Sequence, residues 1–295
     1  MPWLSFQLSL DQLDPERVED TLLTAGAVSV TYEDAGDEPI YEPDPEQMPL
    51  WSRTRMTALF DASADMDAVR AVLLASLGLS RLPMHRIEPL EDRDWTREWL
   101  KDFKPMRFGR RLWICPTAYA PPEPEAVNIL LDPGLAFGTG THPTTALCLE
   151  RLDASDLRGL EVIDYGCGSG VLAIAAARLG AKQVWAVDND PQALIATRDN
   201  AVRNQVEPVI HICAPDALLA PAVDFVVANI LAGPLVSLAV RLAALLKPGG
   251  QLALSGILAS QAQDIRDAYA PWFEITGLTQ RDEWLRVDAQ RREND

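Results

Sequence analysis

The chain has 295 residues, 48% of them hydrophobic and 23% charged, and a formal net charge of −17. That length holds two domains of ordinary size, each with its own core, and the composition is that of a soluble globular protein. The excess of acid argues against a protein that grips nucleic acid through its phosphates.

No apolar run reaches the roughly 18 residues of a membrane span. The most apolar tract, 218–240, is broken by Pro221, Asp224, Asn229 and Pro234. The N-terminus lacks the basic start of a signal peptide and soon turns acidic. Cys115, Cys148, Cys167 and Cys213 show neither paired nor metal-like spacing. Reduced thiols in a cytoplasmic protein without a metal site are therefore expected. Residues 1–50 carry twelve acids against one base, Arg17. Such a surface suits a basic protein partner; keeping the chain soluble is its plainer use.

In chain order, Trp3 to Leu10 alternates as a half-buried strand, and Pro15 to Ala25 has a helical period opened by proline. Ala27 to Tyr32 and Thr54 to Phe60 read as strands around an acidic, proline-rich loop from Asp34 to Pro49. Asp65 to Leu77 is an amphipathic helix and Met84 to Ile87 a further strand. The order β-α-β-β-α-β predicts a ferredoxin-like domain over residues 1–90, a fold that by itself says little about function. Residues 91–108 (EDRDWTREWLKDFKPMRF) predict a connector helix. It would be capped by Asp94 and would carry Trp95 and Trp99 on one face as packing residues.

Residues 109–295 form the second predicted domain. Short strands at Leu112–Cys115 and Asn128–Leu131 lead to a loop rich in glycine and threonine, DPGLAFGTGTHPTT, and a helix from about Pro143 to Leu152. The next element is a strand ending in acid, Glu161-Val-Ile-Asp-Tyr, then Gly-Cys-Gly-Ser-Gly, then an Ala- and Leu-rich helix from Val171 to Leu179. Strand, glycine turn and helix make a nucleotide-binding unit, because the turn admits a ligand to the backbone and the helix start offers free N–H groups. The spacing G-x-G-x-G differs from the dinucleotide pattern and points to S-adenosyl-L-methionine ahead of NAD.

A second strand, Gln183 to Val187, ends at Asp188, about 18 residues past the turn, where a carboxylate takes ribose hydroxyls. Asn189 is a candidate cap for the helix Pro191–Asn204. Past the strand Val209–Cys213, Asp216 fits either a turn cap or an acceptor for an adenine amino group. Asn229 ends the strand Asp224–Ala228 at the crevice where ligands bind in such sheets, and its amide offers one acceptor and two donors. After a helix to Leu246, Lys247-Pro-Gly-Gly reads as a turn. Gln251–Ser255 is then a fifth strand, Gln261–Tyr269 a helix, and Glu274–Thr279 with Trp284–Val287 a closing antiparallel pair. Seven strands with such a close predict an α/β fold of the class I, Rossmann-like methyltransferase type.

The loop LAFGTGTHPTT, the strand and turn VIDYGCGSG, the strand end VDNDP and the segment ANILAGPL together resemble the PrmA-type methyltransferases of bacteria. The resemblance runs over nearly the whole chain. It implies a protein-lysine N-methyltransferase that moves methyl groups from S-adenosyl-L-methionine to lysine side chains and the N-terminal amine of a basic substrate, large-subunit ribosomal protein eleven. By the same resemblance, cofactor contacts fall on Thr145, Gly166, Asp188 and Asn229, with Asn229 at the reacting end. Phe137, Thr139, Gly140, Thr144 and Gly168 line the site by proximity. Residues 1–90 would grip the substrate and swing on the connector, in a monomer that binds neither nucleic acid directly nor a membrane.

Three other readings compete. A nucleic-acid amine methyltransferase would carry an Asn-Pro-Pro-Tyr segment where this chain has Asn229-Ile-Leu-Ala, without an aromatic to stack a base. An NAD-dependent oxidoreductase needs the other glycine spacing. A cofactor-free binding module would have no use for Asp188. His142, the histidine nearest the motifs, reads as a structural loop residue ahead of a catalytic base.

Overall fold

Acidic caps and prolines set where the helices begin. Asp14 accepts from the Glu16 N–H at 3.2 Å with Pro15 in the first helical position, and Asp65 accepts from the N–H groups of Asp67 and Ala68. In a computed structural model, which describes residues 3–36, 50–90, 103–132 and 142–293, the chain divides into two units, Met1–Arg97 and Glu98–Asp295. The division falls inside the predicted connector. Residues 91–102 of that connector, with Asp94, Trp95 and Trp99, lie outside the described residues.

The first unit runs β1 (Trp3–Ser9), α1 (Pro15–Thr24), β2 (Ser29–Asp34), β3 (Thr54–Asp61), α2 (Met66–Leu77) and β4 (His85–Leu90). Its sheet order is β2-β3-β1-β4 with every pair antiparallel, the ferredoxin-like arrangement expected. Alternate residues Phe6, Leu8, Met56, Ala58 and Phe60 meet Val18, Leu22 and Leu73 of the two helices in one core.

The second unit begins with a small sheet of β5 (Met106–Phe108), β6 (Leu112–Cys115) and β7 (Val127–Leu130). Residues 106–108 therefore pair as a strand where a helical connector was predicted to continue. Pro105 gives the reason: the residue before a proline is pushed out of helical geometry, and the chain beyond it is free to pair with β6. The remaining elements are α3 (Pro143–Ala154), β8 (Glu161–Tyr165), α4 (Val171–Arg178), β9 (Gln183–Val187), α5 (Pro191–Arg203), β10 (Ile210–Cys213), β11 (Val223–Asn229), α6 (Ala232–Leu245), β12 (Leu246–Leu258), α7 (Ala262–Tyr269), β13 (Phe273–Arg281) and β14 (Trp284–Arg291).

Seven strands form one sheet in the order β10-β9-β8-β11-β12-β14-β13. It is parallel except for β14, which runs antiparallel to both of its neighbours. Strand order reverses between β8 and β11, so the crevice at their carboxyl ends is the natural ligand site. Successive side chains go to opposite cores: Val162, Phe225 and Val227 pack beneath α3 and α4, while Ile163, Tyr165 and Val226 pack with α6 and α7. No helix among the described residues is long and apolar enough to cross a membrane. The same residues hold no cluster of His, Cys, Asp and Glu that could take a metal ion.

The small sheet is pinned to α5 by a single amide. Asn204, buried just past the end of α5, accepts from the Leu130 N–H at 2.7 Å and donates to the Leu130 carbonyl at 2.8 Å. Each backbone group left unpaired costs about 1–3 kcal/mol. Asn204→Ala should thus lower the denaturant midpoint by an amount equivalent to at least about 2 kcal/mol. An unchanged midpoint would mean that Leu130 finds other partners.

Candidate active site

The glycine turn after β8 is held from three sides. The Gly166 and Cys167 N–H groups donate to the Val187 carbonyl on β9 at 2.7 and 3.0 Å. The Gly168 N–H donates to Asp188 Oδ2 at 2.8 Å, and Asp188 Oδ1 accepts from the Asp190 N–H at 3.0 Å. From α5, the Thr197 hydroxyl donates to the Gly168 carbonyl at 3.0 Å and Asn200 donates to the Ser169 carbonyl at 2.9 Å. Asp188 thus fixes the turn while each of its oxygens keeps a lone pair for a hydroxyl. Helix α5 is capped by Asp190, whose side chain accepts from the Gln192 N–H; Asn189 is not the cap. Proline at the first helical position selects the residue directly before it.

At Gly170 the turn adopts φ 78° and becomes the start of α4, which has no side-chain cap. Its first-turn N–H groups, apart from that of Ala173, are left for an anionic group. Thr197 closes over Gly170 so tightly that a Cβ there would lie 2.7 Å from its methyl group.

Asn229 stands at the carboxyl end of β11, on the face that Phe225 and Val227 share toward α3. Its Nδ2 donates to the hydroxyl of Thr145, a fully buried residue in the first turn of α3, at 3.2 Å. Its Oδ1 is buried and meets no donor among the described residues. One strand over, Asp164 pairs with Val227 and faces the same side. Its Oδ2 accepts from the Ala173 N–H at 2.9 Å, while its Oδ1 is a second buried oxygen that meets no donor among the described residues. Burial pushes the Asp164 carboxyl up to about 7; the Ala173 bond pulls against that shift and the nearby Asp188 charge adds to it.

His142 caps α3. Its Nδ1 accepts from the Thr144 N–H at 3.4 Å and lies 2.7 Å from the Thr144 hydroxyl, and its ring meets Trp284 edge-on at 4.9 Å. Burial holds the imidazole below its ordinary pKa, with Glu283 opposing the shift. With Nδ1 on Thr144 and the ring against Trp284, His142 is held at the start of α3.

Among the residues predicted from sequence, Thr145, Gly166, Gly168, Asp188 and Asn229 converge around the carboxyl ends of β8, β9 and β11. Thr144 is buried beside His142. Phe137, Thr139 and Gly140 lie outside the described residues. Asp216 is exposed in the turn 214–217 beyond β10, where its carboxylate receives no hydrogen bond from described residues. Sequence reasoning missed Thr197 and Asn200, and marked Asp164 only as the acid before the turn, without a contact of its own. The signal available for Asp164 was a carboxylate closing a strand otherwise apolar on that face.

The site suits S-adenosylmethionine. That molecule brings cationic sulfonium and ammonium groups, ribose hydroxyls and a carboxylate. The site offers two buried acceptors lacking donors, a carboxylate with spare lone pairs, and an uncapped helix start. Asp164 would face a cationic group, Asp188 the ribose, and the glycine turn with α4 the carboxylate, with Asn229 at the reacting end.

A family model described as ribosomal protein L11 methyltransferase (PrmA) matches residues 2–292. The chain is 56% identical over 293 residues to the ribosomal protein L11 methyltransferase of Pseudomonas paraeruginosa, covering 99% of each chain. It is also 56% identical over 298 residues to that of Azotobacter vinelandii, covering 99% of this chain and 100% of the relative. Among solved structures, the ribosomal protein L11 methylase of Lactobacillus delbrueckii subsp. bulgaricus is similar at TM-score 0.58 and 34% identity, over 64% of this chain and 100% of that chain. S-adenosylmethionine is accordingly the cofactor of this chain. With the fold, the turn and the strand-end amide in agreement with these matches, the chain belongs to the ribosomal protein L11 methyltransferase (PrmA) family.

Proposed function

We propose that this chain methylates amino groups, lysine side chains and the N-terminal amine, of ribosomal protein L11 in the cytoplasm, as a monomer. The names of its relatives supply the substrate protein. The observation that supports nitrogen as the acceptor is the unpaired Oδ1 of Asn229, an oxygen positioned to accept an N–H at the reacting end of the site. The bound sulfonium supplies an activated methyl group, so the chain's own task is alignment and exclusion of water.

An ammonium cannot attack, and a free lysine has a pKa near 10.4. Drawing the amine out of water lowers that value, and an acceptor at Asn229 holds the neutral form with its lone pair free. The proton leaves to solvent; His142, occupied as a cap, takes no part. Residues 1–90 are the recognition domain in this reading, and the acid concentrated in residues 1–50 complements a basic protein. The −17 charge and the lack of a stacking aromatic after Asn229 disfavour a nucleic acid in the same site.

Incubating recombinant ribosomal protein L11 with the enzyme and S-adenosylmethionine should add 14 Da steps (about one methylene each), mapped by peptide mass spectrometry to lysine and the N-terminal residue. Mass gained on oxygen, or on added ribosomal RNA with none on protein, would overturn the reading.

A further inference from the structure

We infer that β13, at the edge of the seven-stranded sheet, is a docking strand on which an extended segment of the substrate protein adds as a further strand. The inference rests on ribosomal protein L11 being the substrate, as read above. β13 has nine residues and is the longest edge strand among the described residues. The other edges, β2, β4, β5, β7 and β10, have six or fewer. Natural sheets guard long edges with proline or charge. β13 has no proline, and its stretch from Ile275 to Gln280 (ITGLTQ) carries no charge in a chain that is 23% charged. Its guard is a bulge between Ile275 and Gly277, which leaves the ladder regular from Gly277 to the hairpin tip.

The pairing with β14 fixes which backbone groups face outward. Arg281 pairs with Trp284 across the two-residue turn Asp282-Glu283, with φ 54° at Asp282. Residues flanking such a turn exchange both hydrogen bonds. Alternation then leaves Gln280 and Leu278, opposite Leu285 and Val287, with N–H and C=O turned to the open edge. At the far end the Arg292 N–H donates to the Trp272 carbonyl at 3.1 Å, and the same alternation turns Phe273 and Ile275 outward. These outward groups meet no backbone partner among the described residues. Leu278 is also 40% exposed, an apolar side chain open to a cross-strand neighbour.

The direction of the edge selects the occupant. β14 runs antiparallel to both β12 and β13, so the carboxyl end of β13 lies at the same end of the sheet as the cofactor crevice. There Trp284 meets the ring of His142, the cap of α3, whose first turn holds Thr145. A chain laid along this edge is led to the site, and the molecule that must come there besides the cofactor is the substrate. Asp282 and Glu283 are exposed at the tip, which suits the lysine side chains of a basic protein. Four strand spacings separate β11 from an added strand. At about 4.8 Å each, about six extended residues cover that span.

Initial rates at saturating S-adenosylmethionine over a range of ribosomal protein L11 separate KM from kcat. Gln280→Pro removes an outward N–H and keeps the ladder with β14. It should raise KM for ribosomal protein L11 about fivefold or more, with kcat and affinity for S-adenosylmethionine held within about twofold. Gln280→Ala keeps the N–H and should leave KM within about twofold. Leu278→Lys leaves every backbone group in place and sets a like charge against a basic partner. It should raise KM similarly, and it serves where Gln280→Pro does not fold. A KM left unaltered by either folded variant, or a fall in kcat alone, would overturn the inference. Self-association in sedimentation that Gln280→Pro abolishes, with KM unaltered, would put a second copy of the chain on the edge and overturn it too. Failure of the unaltered enzyme to methylate ribosomal protein L11 would instead overturn the substrate reading, before any variant is compared.

Discussion

Replacing Asp164 by Asn is expected to stabilise the cofactor-free protein at alkaline pH and to weaken cofactor binding severely. The carboxyl is fully buried at the end of β8 with one oxygen on the Ala173 N–H and the other meeting no donor among the described residues. Burial raises it from the ordinary 3.8 to about 7. The sign follows from proton binding: between those two values the folded state holds more protons than the unfolded state, so stability falls as pH rises through that window. Above about 7 the full penalty of a buried charge persists. It amounts to a few kcal/mol. Asn keeps the bond to Ala173 and cannot ionise. Its unfolding midpoint at pH 8 should exceed that of the unaltered protein by roughly 5 °C or more, with a flatter profile between pH 5 and 8. The same change puts an N–H donor where the cationic ligand needs an acceptor, so titration calorimetry should show affinity for S-adenosylmethionine lowered by about 100-fold or more. Parallel pH profiles for the two proteins would refute the raised carboxyl; unaltered affinity would refute its role at the ligand. A residue of this kind trades stability for function.

Most of the site was legible in the sequence, because the features that make it are local. Alternation and glycine spacing place β8 and its turn, and an acid at the end of Gln183–Val187 places Asp188. What escaped notice depends on packing across the sheet. Nothing in the string Val-Ile-Asp-Tyr says that Asp164 meets the Ala173 N–H on one oxygen and nothing on the other. Thr197 and Asn200 look like ordinary helix residues until the turn is seen resting on them.

Lys247-Pro-Gly-Gly is more instructive. Proline and glycine are turn formers, and the segment does carry a positive φ of 75° at Gly249. Yet it lies within β12, where Leu246 pairs with Val223 and Gln251 with Phe225, so that the extra residues form an irregularity in a ladder that continues on both sides. Local chemistry was read correctly there, and the pairing partners decided the element. Similarly, Asn189 and Asp190 are both good capping residues, and Pro191 decides between them.

Gly166→Ala should abolish cofactor binding and cost several kcal/mol of stability, with a recoverable and an unrecoverable part. Gly166 adopts φ 82°, where a side chain costs about 1–2 kcal/mol whatever surrounds it. In addition, a Cβ at this position would lie 2.2 Å from Cγ2 of Ile230, the residue that follows Asn229. Something must move, and the two candidates are the glycine turn and the strand end that carries the Asn229 amide. The clash is with a side-chain methyl, so Ile230→Ala removes it. In a double-mutant cycle, Ile230→Ala alone should cost about 2–4 kcal/mol for lost packing. The double variant should be more stable than the sum of the single losses by at least about 1 kcal/mol, which is the coupling expected of atoms in contact. Only the φ cost should remain against Ile230→Ala as reference. Strict additivity would show that the turn accommodates a Cβ without touching Ile230, and the close approach of turn and strand end would then not be what holds Asn229 in place. If cofactor binding returns in the double variant along with the stability, the turn and the amide form one unit, and the spacing between them is set by the absence of a side chain at Gly166.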